Sequence, residues 1–437
     1  MQVGRFNNRW VSRMLTRFLK NARGGVAPLM AVVAVPVMGA VGMAVDYSRV
    51  NAARTAFQVA LDSTALMMSK DAATKTDAER QSEATKTFGA LFNRPEVTDA
   101  NVTPVFTTAG GSKLTLNGTA VVHTNFLGVI GISEVNINAM SVSTWGNTRL
   151  RVALVLDNTG SMASDGKMDA LKTASHNLLT QLQSAAVHPE DVYVSIVPFS
   201  KDVNFGADNY AANWLRWDLW DAVNGTCSNN SYHKQSSCLS HNKIWTPAAH
   251  STWNGCVTDR DQNYDTNNDA PVAGATLYPT EQYASCSAPL MGLSNDWTKL
   301  NAKIDAMTPV GNTNQAIGLQ VGWQTLTASP FTVPAVDPDY KYQTVIILLT
   351  DGLNTEDRWY TSQSSIDTRQ QKTCVNIKAA NITLYTVQVN TGSDATSTML
   401  QNCASDSSKF FLLTSAGQIV TTFGQIGTSL SKLRLAM

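Results

Sequence analysis

The alternation of apolar and polar positions changes character along the chain. From Val26 to Val45 (VAPLMAVVAVPVMGAVGMAV) no side chain is charged. Twenty helical residues span about 30 Å, the thickness of a bilayer's hydrocarbon core. Pro28 and Pro36 would damage a soluble helix, but membrane helices tolerate proline. Beyond this run Val50, Ala53, Phe57, Ala60, Leu61, Thr64, Ala65 and Met68 recur at three- and four-residue steps, with Arg49, Arg54, Asp62 and Lys70 elsewhere on the wheel. The spacing predicts one helix from about Ala27 to about Ser69, half in lipid and half packed on a small domain. DAATKTDAERQSE is the polar end of that helix or the start of another. SKLTLNGTAVVHTNF and EVNINAMSVSTW then alternate as half-buried strands do, with Asn117-Gly118 as a turn or bulge.

From Arg149 the pattern becomes near-continuous apolar runs: VALVLD, DVYVSIVPFS, QTVIILLTDG, ITLYTVQV and KFFLLT. Such runs mark strands buried on both faces. Helical segments lie between them at Lys167 to Ser184, Thr313 to Thr327, Ser362 to Ala380 and Ala416 to Leu433. Strands alternating with helices predict an α/β domain, a doubly wound, mostly parallel sheet in which ligands bind beyond the carboxyl ends of the strands. The division expected is 1–25 basic, 26–45 membrane-spanning, 46–148 a small α+β stalk, and 149–437 the sheet domain. An insertion at about 204–293 lacks long periodic segments and holds Trp214, Trp217, Trp220, Trp245 and Trp253. These aromatics form either a satellite core or a recognition surface.

Charge orients this arrangement. The chain's 33 basic and 33 acidic residues cancel, which gives no footprint for nucleic acid. Arg5, Arg9, Arg13, Arg17, Lys20 and Arg23 nevertheless precede the apolar run without any acid among the first 25 residues. A basic flank stays in the cytoplasm and sends the rest across the membrane. A cleaved signal peptide is the rival reading, but the apolar run is long for one. The cysteines agree with export: all six lie far beyond the apolar run, and an even number in an oxidising compartment reads as disulfides. Proximity suggests Cys227–Cys238, Cys256–Cys286 and Cys374–Cys403 among fifteen possible pairings. Cys227, His233, Cys238 and His241 offer zinc-ligand types at irregular spacing.

Three distant pieces offer chemistry. Asp157, Thr159 and Ser161 follow one strand, Thr313 follows Gly311-Asn312 at the head of a helix, and Asp351 ends another strand. Two carboxylates and three hydroxyls make an oxygen-only set suited to Mg²⁺, Mn²⁺ or Ca²⁺. These pieces resemble the von Willebrand factor A domain with its metal-ion-dependent adhesion site. The resemblance implies that Asp157, Thr159, Ser161, Thr313 and Asp351 form the metal shell, directly or through water, and that a partner's acidic side chain completes it. Thr159 stands where the family most often has Ser; its hydroxyl has the same donor and acceptor capacity. A weaker Ca²⁺ site is suggested inside the insertion, where Asp259, Asp261, Asn263, Asp265, Asn267 and Asp269 fall on alternate positions without the sixth-position Gly and twelfth-position Glu of an EF-hand. A solvated polar loop is the alternative there.

An enzyme is not expected. A Mg²⁺-dependent phosphohydrolase of the haloacid-dehalogenase type needs an acid two residues beyond its nucleophile, and Thr159 occupies that place. The N-terminal features (Gly24-Gly25, an apolar span with proline, Val45-Asp46-Tyr47 and the Ala-rich helix with Leu61-Asp62) resemble the TadE/TadG-like pilus-assembly family. With the A-like domain downstream, the resemblance is to its TadG branch. It implies a bacterial inner-membrane, single-pass protein with a cytoplasmic amino terminus and a periplasmic bulk. Such a protein serves tight-adherence (Flp) pili through a protein partner in the pilus machinery or envelope, and takes no small-molecule substrate. True pilin precursors carry Glu five residues after the cleavage Gly; here Met30 stands there, so the anchor is expected to stay. The competing function is a structural tether whose metal serves stability alone.

Overall fold

The computed structural model describes residues 26–435 apart from 109–110, 147, 328 and 393–394. The basic segment 1–25 lies outside the described residues. The chain forms two compact units that part at Thr144 and Trp145.

In the first unit, helix α1 (Val26–Ser69) runs unbroken through Pro36. From Leu29 to Val45 its large apolar side chains are exposed, whereas Val50, Ala53, Phe57, Ala60, Leu61, Thr64, Ala65 and Met68 are buried. Among the described residues, this is the one helix long and apolar enough to cross a membrane. The polar stretch after it starts a second helix, α2 (Asp77–Leu91), whose first turn is closed by a capping box between Thr76 and Glu79. Phe57 meets Phe88 and Phe92 edge-on at centroid distances of 5.0 and 5.1 Å, which locks α1 to α2.

A three-stranded sheet packs on this pair: β1 (Val97–Thr107), β2 (Ser112–His123) and β3 (Glu134–Trp145), in that order. The alternation of β2 and β3 was legible. β1 was not, because it carries Asp99, Asn101 and Pro104 and buries little beyond Val102. Asn117-Gly118 is neither turn nor bulge; it lies within β2, where Val102 of β1 pairs with Gly118. Glycine is required there because a Cβ would sit 2.6 Å from the Phe57 ring. The register irregularity falls on β1 instead, between Thr98 and Asn101.

The second unit is a doubly wound sheet. Its parallel strands are β4 (Thr148–Asp157), β5 (Val192–Phe199), β9 (Lys341–Thr350), β10 (Thr383–Val389) and β11 (Phe410–Leu413), ordered β5-β4-β9-β10-β11. Short antiparallel strands complete the β5 side: β6 (Val203–Asn204), β7 (Cys256–Val257) and β8 (Met291–Ser294). The helices are α3 (Lys167–Ala185), α4 (Trp297–Asp305), α5 (Gln315–Thr327), α6 (Gln363–Ala379), α7 (Thr398–Cys403) and α8 (Gly417–Leu435). Along β4, Leu150, Val152, Leu154 and Leu156 join the core of α3, α4 and α8, while Ala153 and Val155 join that of α5 and α6. Burial on both faces explains the unbroken apolar runs.

The insertion between β6 and β8 is stapled by Cys227–Cys238 and Cys256–Cys286, and Cys374–Cys403 ties α6 to α7. A bonded Cys227–Cys238 pair removes the zinc reading, since thiolates are needed as ligands. Trp220 and Trp253 are buried at 1% and 2% exposure in the same core as Val155 and Val197 of the sheet. Trp214 and Trp217 pack against that core, whereas Trp245 is buried in a separate small cluster with Cys227 and Cys238, so these tryptophans serve packing.

Candidate metal centre

β4 and β9 are parallel neighbours, so the turns that follow them meet at one sheet edge. Asp157, the last residue of β4, is fully buried and takes hydrogen bonds on both oxygens. Oδ1 accepts from the Thr159 amide at 2.8 Å and the Thr159 hydroxyl at 2.5 Å, and Oδ2 accepts from the Thr350 hydroxyl at 2.6 Å. Ser161 donates its hydroxyl to Asp351 Oδ1 at 2.6 Å. The Thr159 and Ser161 hydroxyl oxygens lie 3.0 Å apart. Each hydroxyl has one proton. With both protons given to carboxylates, none remains between these two oxygens, and their lone pairs face each other.

The loop before α5 abuts this turn. Gly160 donates its amide to the Gly311 carbonyl at 3.0 Å, and Val310 donates to the Asn158 carbonyl at 2.8 Å. Thr313 is buried, with its amide held by the Thr355 hydroxyl at 2.8 Å. Thus Asp157, Thr159, Ser161 and Asp351 form one cluster, with Thr159 bonded to Asp157 and Ser161 to Asp351. Thr313 belongs to a loop that touches it, but among the described residues its hydroxyl bonds to none of the other four.

Burial, together with the Asp351 carboxylate nearby, pushes the Asp157 carboxyl up to about 6, against the hydrogen bonds from Thr159 and Thr350. Negative charge is therefore under-compensated at the site. The donors are all hard oxygens, and their lone pairs and charge fit a divalent cation of the Mg²⁺ class. Among the described residues no three His, Cys, Asp or Glu side chains gather as a metal-holding cluster, so such an ion would depend on hydroxyls beside two carboxylates.

Several participants escaped the sequence reading. Lys167, at the first position of α3, is buried and places Nζ 2.5 Å from Asp351 Oδ2. A cation in a helix's first turn opposes the helix dipole, and that misplacement is the signal that could have found it. Thr350 and Asn314 were also missed. The Asn314 side-chain amide donates to Asp259 Oδ2 at 2.8 Å and to the Lys201 carbonyl at 3.2 Å, so the insertion grips the loop carrying Thr313. Tyr283 adds to that grip, its hydroxyl accepting from the Asn312 amide at 3.1 Å.

The alternating acids of the insertion do not form a calcium loop. Asp261 pairs with Arg216 at 2.6 Å and Arg358 at 2.7 Å, and Asp265 is clasped by Arg369, Nε to Oδ2 at 2.7 Å. Asn263 accepts from Arg369 at 3.1 Å, and Asn267 and Asp269 give their carbonyls to Arg260. Guanidinium groups supply the positive charge a calcium ion would have brought.

The fold and the site define a parallel α/β domain with a carboxylate–hydroxyl centre at its strand ends, in a chain whose described residues begin with a long apolar helix. Residues 24–70 match the Flp pilus-assembly TadE/G-like family, Tad. No curated protein matches the chain in sequence. Among solved structures, the pilus adhesin SpaC of Lactobacillus rhamnosus GG is 14% identical with a TM-score of 0.38, over 78% of this chain and 36% of SpaC. The chain thus spans about a third of that adhesin's length. The vWF domain of the type V pili tip protein Mfa5 of Porphyromonas gingivalis is 11% identical with a TM-score of 0.39, over 68% of this chain and 98% of that domain. Proximal thread matrix protein 1 of the mussel byssus, with a zinc-occupied MIDAS motif, is 13% identical with a TM-score of 0.34, over 65% of this chain and 46% of its own. At these scores the likenesses decide nothing about function.

Proposed function

We propose that the protein is a membrane-anchored pilus-assembly component that binds an acidic group of a protein partner through a divalent ion at Asp157, Thr159, Ser161, Thr313 and Asp351. In this reading residues 26–45 cross the inner membrane with the amino terminus in the cytoplasm, residues 46–148 form a stalk, and residues 149–437 lie in the periplasm. The Tad match over residues 24–70 supports the pilus-assembly role.

One observation carries the metal reading: Ser161 bridges the two strand ends by lying 3.0 Å from the Thr159 hydroxyl while donating to Asp351. Charge arithmetic gives the consequence. Two carboxylates and the Lys167 ammonium leave one net negative charge, so a divalent ion held there keeps one positive charge to offer. An incoming carboxylate answers that charge; a neutral or basic partner does not. The ion supplies electrostatic attraction and an open coordination position, and the chain's own residues orient it. The arrangement serves binding and not turnover.

A structural tether is the second reading, and Lys167 favours it by already neutralising Asp351 without any metal. Capture of native envelope partners by the full chain in detergent separates the two. Capture that needs Mg²⁺ and fails in EDTA supports adhesion. Equal capture in both, with only the melting temperature changed by Mg²⁺, supports the tether.

A further inference from the structure

The loop between β2 and β3 carries Phe126, Leu127, Val129, Ile130 and Ile132 with no charged residue between His123 and Glu134. Val129 and Ile130 are 86% and 62% exposed, and Phe126 and Ile132 also stand open. Contiguous apolar surface of this kind marks an interaction site. We propose that this loop seats in the bilayer interface beside α1 as a second, monotopic membrane contact. The proposal rests on the membrane-anchor reading of α1.

Position is the first argument. The loop is pinned where the apolar span of α1 ends: the buried Asp46 carboxylate accepts the amides of Asn125, Phe126 and Leu127 at 3.2, 2.6 and 2.8 Å. One helical turn earlier, Gly42 lets the Phe126 ring onto the helix, since a Cβ there would lie 2.6 Å from it. The loop is therefore held against the end of the span, on which Met38, Val41 and Val45 also stand exposed.

Backbone chemistry is the second. A non-helical segment enters a water-poor layer only if its amides are satisfied from within. Besides the three amides on Asp46, Val129 donates to Phe126, Gly131 to Gly128, Ile132 to Leu127 and Thr124 to Ser133, at 3.0–3.1 Å. Apolar side chains outward and amides turned inward is what an interfacial segment requires.

All six cysteines are in disulfides, so an introduced cysteine is a unique labelling site. The full chain is reconstituted in liposomes as Val129→Cys and, separately, Met38→Cys, each carrying an environment-sensitive fluorophore. Brominated lipid should quench both labels to a similar degree, with iodide in the buffer ineffective at Val129. Quenching of Met38→Cys by lipid but of Val129→Cys by iodide overturns the loop contact and leaves the anchor standing. Shielding of Val129→Cys from both quenchers assigns the loop to a protein partner and also overturns it. Lipid quenching at neither position removes the anchor and the loop contact together.

Discussion

Replacing Asp157 with alanine should abolish Mg²⁺ binding in a calorimetric titration while the domain stays folded. The carboxylate is central to the charge that draws the ion, and no other acid is placed to substitute for it. Folding survives because the change both removes and relieves. It frees the Thr159 amide and the Thr159 and Thr350 hydroxyls, each worth about 1–3 kcal/mol if left unsatisfied in the interior. It also removes a charge whose burial, together with the facing Asp351 carboxylate, is what raises Asp157. The same titration has a pH signature. A carboxyl raised to about 6 still holds its proton in part below that pH, so the wild-type chain should bind Mg²⁺ more weakly at pH 5 than at pH 8. Without metal the sign reverses for stability: a raised carboxyl favours the folded state at low pH, and that contribution is lost as pH rises through about 6.

Arg369→Met should destabilise the sheet domain by about 3–5 kcal/mol, the cost of stranding a buried charge by removing its partner. Arg369 and Asp265 are both buried, and the guanidinium clasps both oxygens of the carboxylate. The pair joins α6 to the insertion, and Asp265 faces two more acids, since burial and its neighbours Asp357 and Asp265 already push Asp259 up to about 7. With the arginine gone, the Asp265 carboxylate is left buried beside Asp259 and Asp357 without the guanidinium that balanced it. The double variant Arg369→Met with Asp265→Leu should recover most of the loss, because a buried pair replaced by apolar groups is often neutral. Urea unfolding of the chain in detergent reads both variants. A single variant as stable as the wild type would mean that the clasp contributes nothing.

These two sites differ in how far the sequence exposed them. The strands that carry Asp157 and Asp351 are buried on both faces, so their apolar runs stand out, and the polar residues ending them stand out by contrast. Helix α1 was equally plain, because one face repeats every three or four residues. β1 was not, since an exposed strand with Asp99 and Pro104 has no apolar signature. Gly118 misled for a related reason: the demand on it comes from the Phe57 ring, some sixty residues away in the chain. In the same way nothing in the sequence pairs Lys167 with Asp351, and the insertion's alternating acids looked like ion ligands. Both depend on which opposite charge the fold delivers, Asp351 to the lysine and Arg216, Arg358 and Arg369 to the acids. Local spacing reports the donor; only the tertiary structure reports its partner.

The most direct measurement is an anomalous-diffraction map of the sheet domain crystallised with Mn²⁺. The account predicts a peak enclosed by the turn 157–161, Thr313 and Asp351, with Lys167 alongside. Manganese found only elsewhere, or an ammonium filling that space at saturating Mn²⁺, would contradict it.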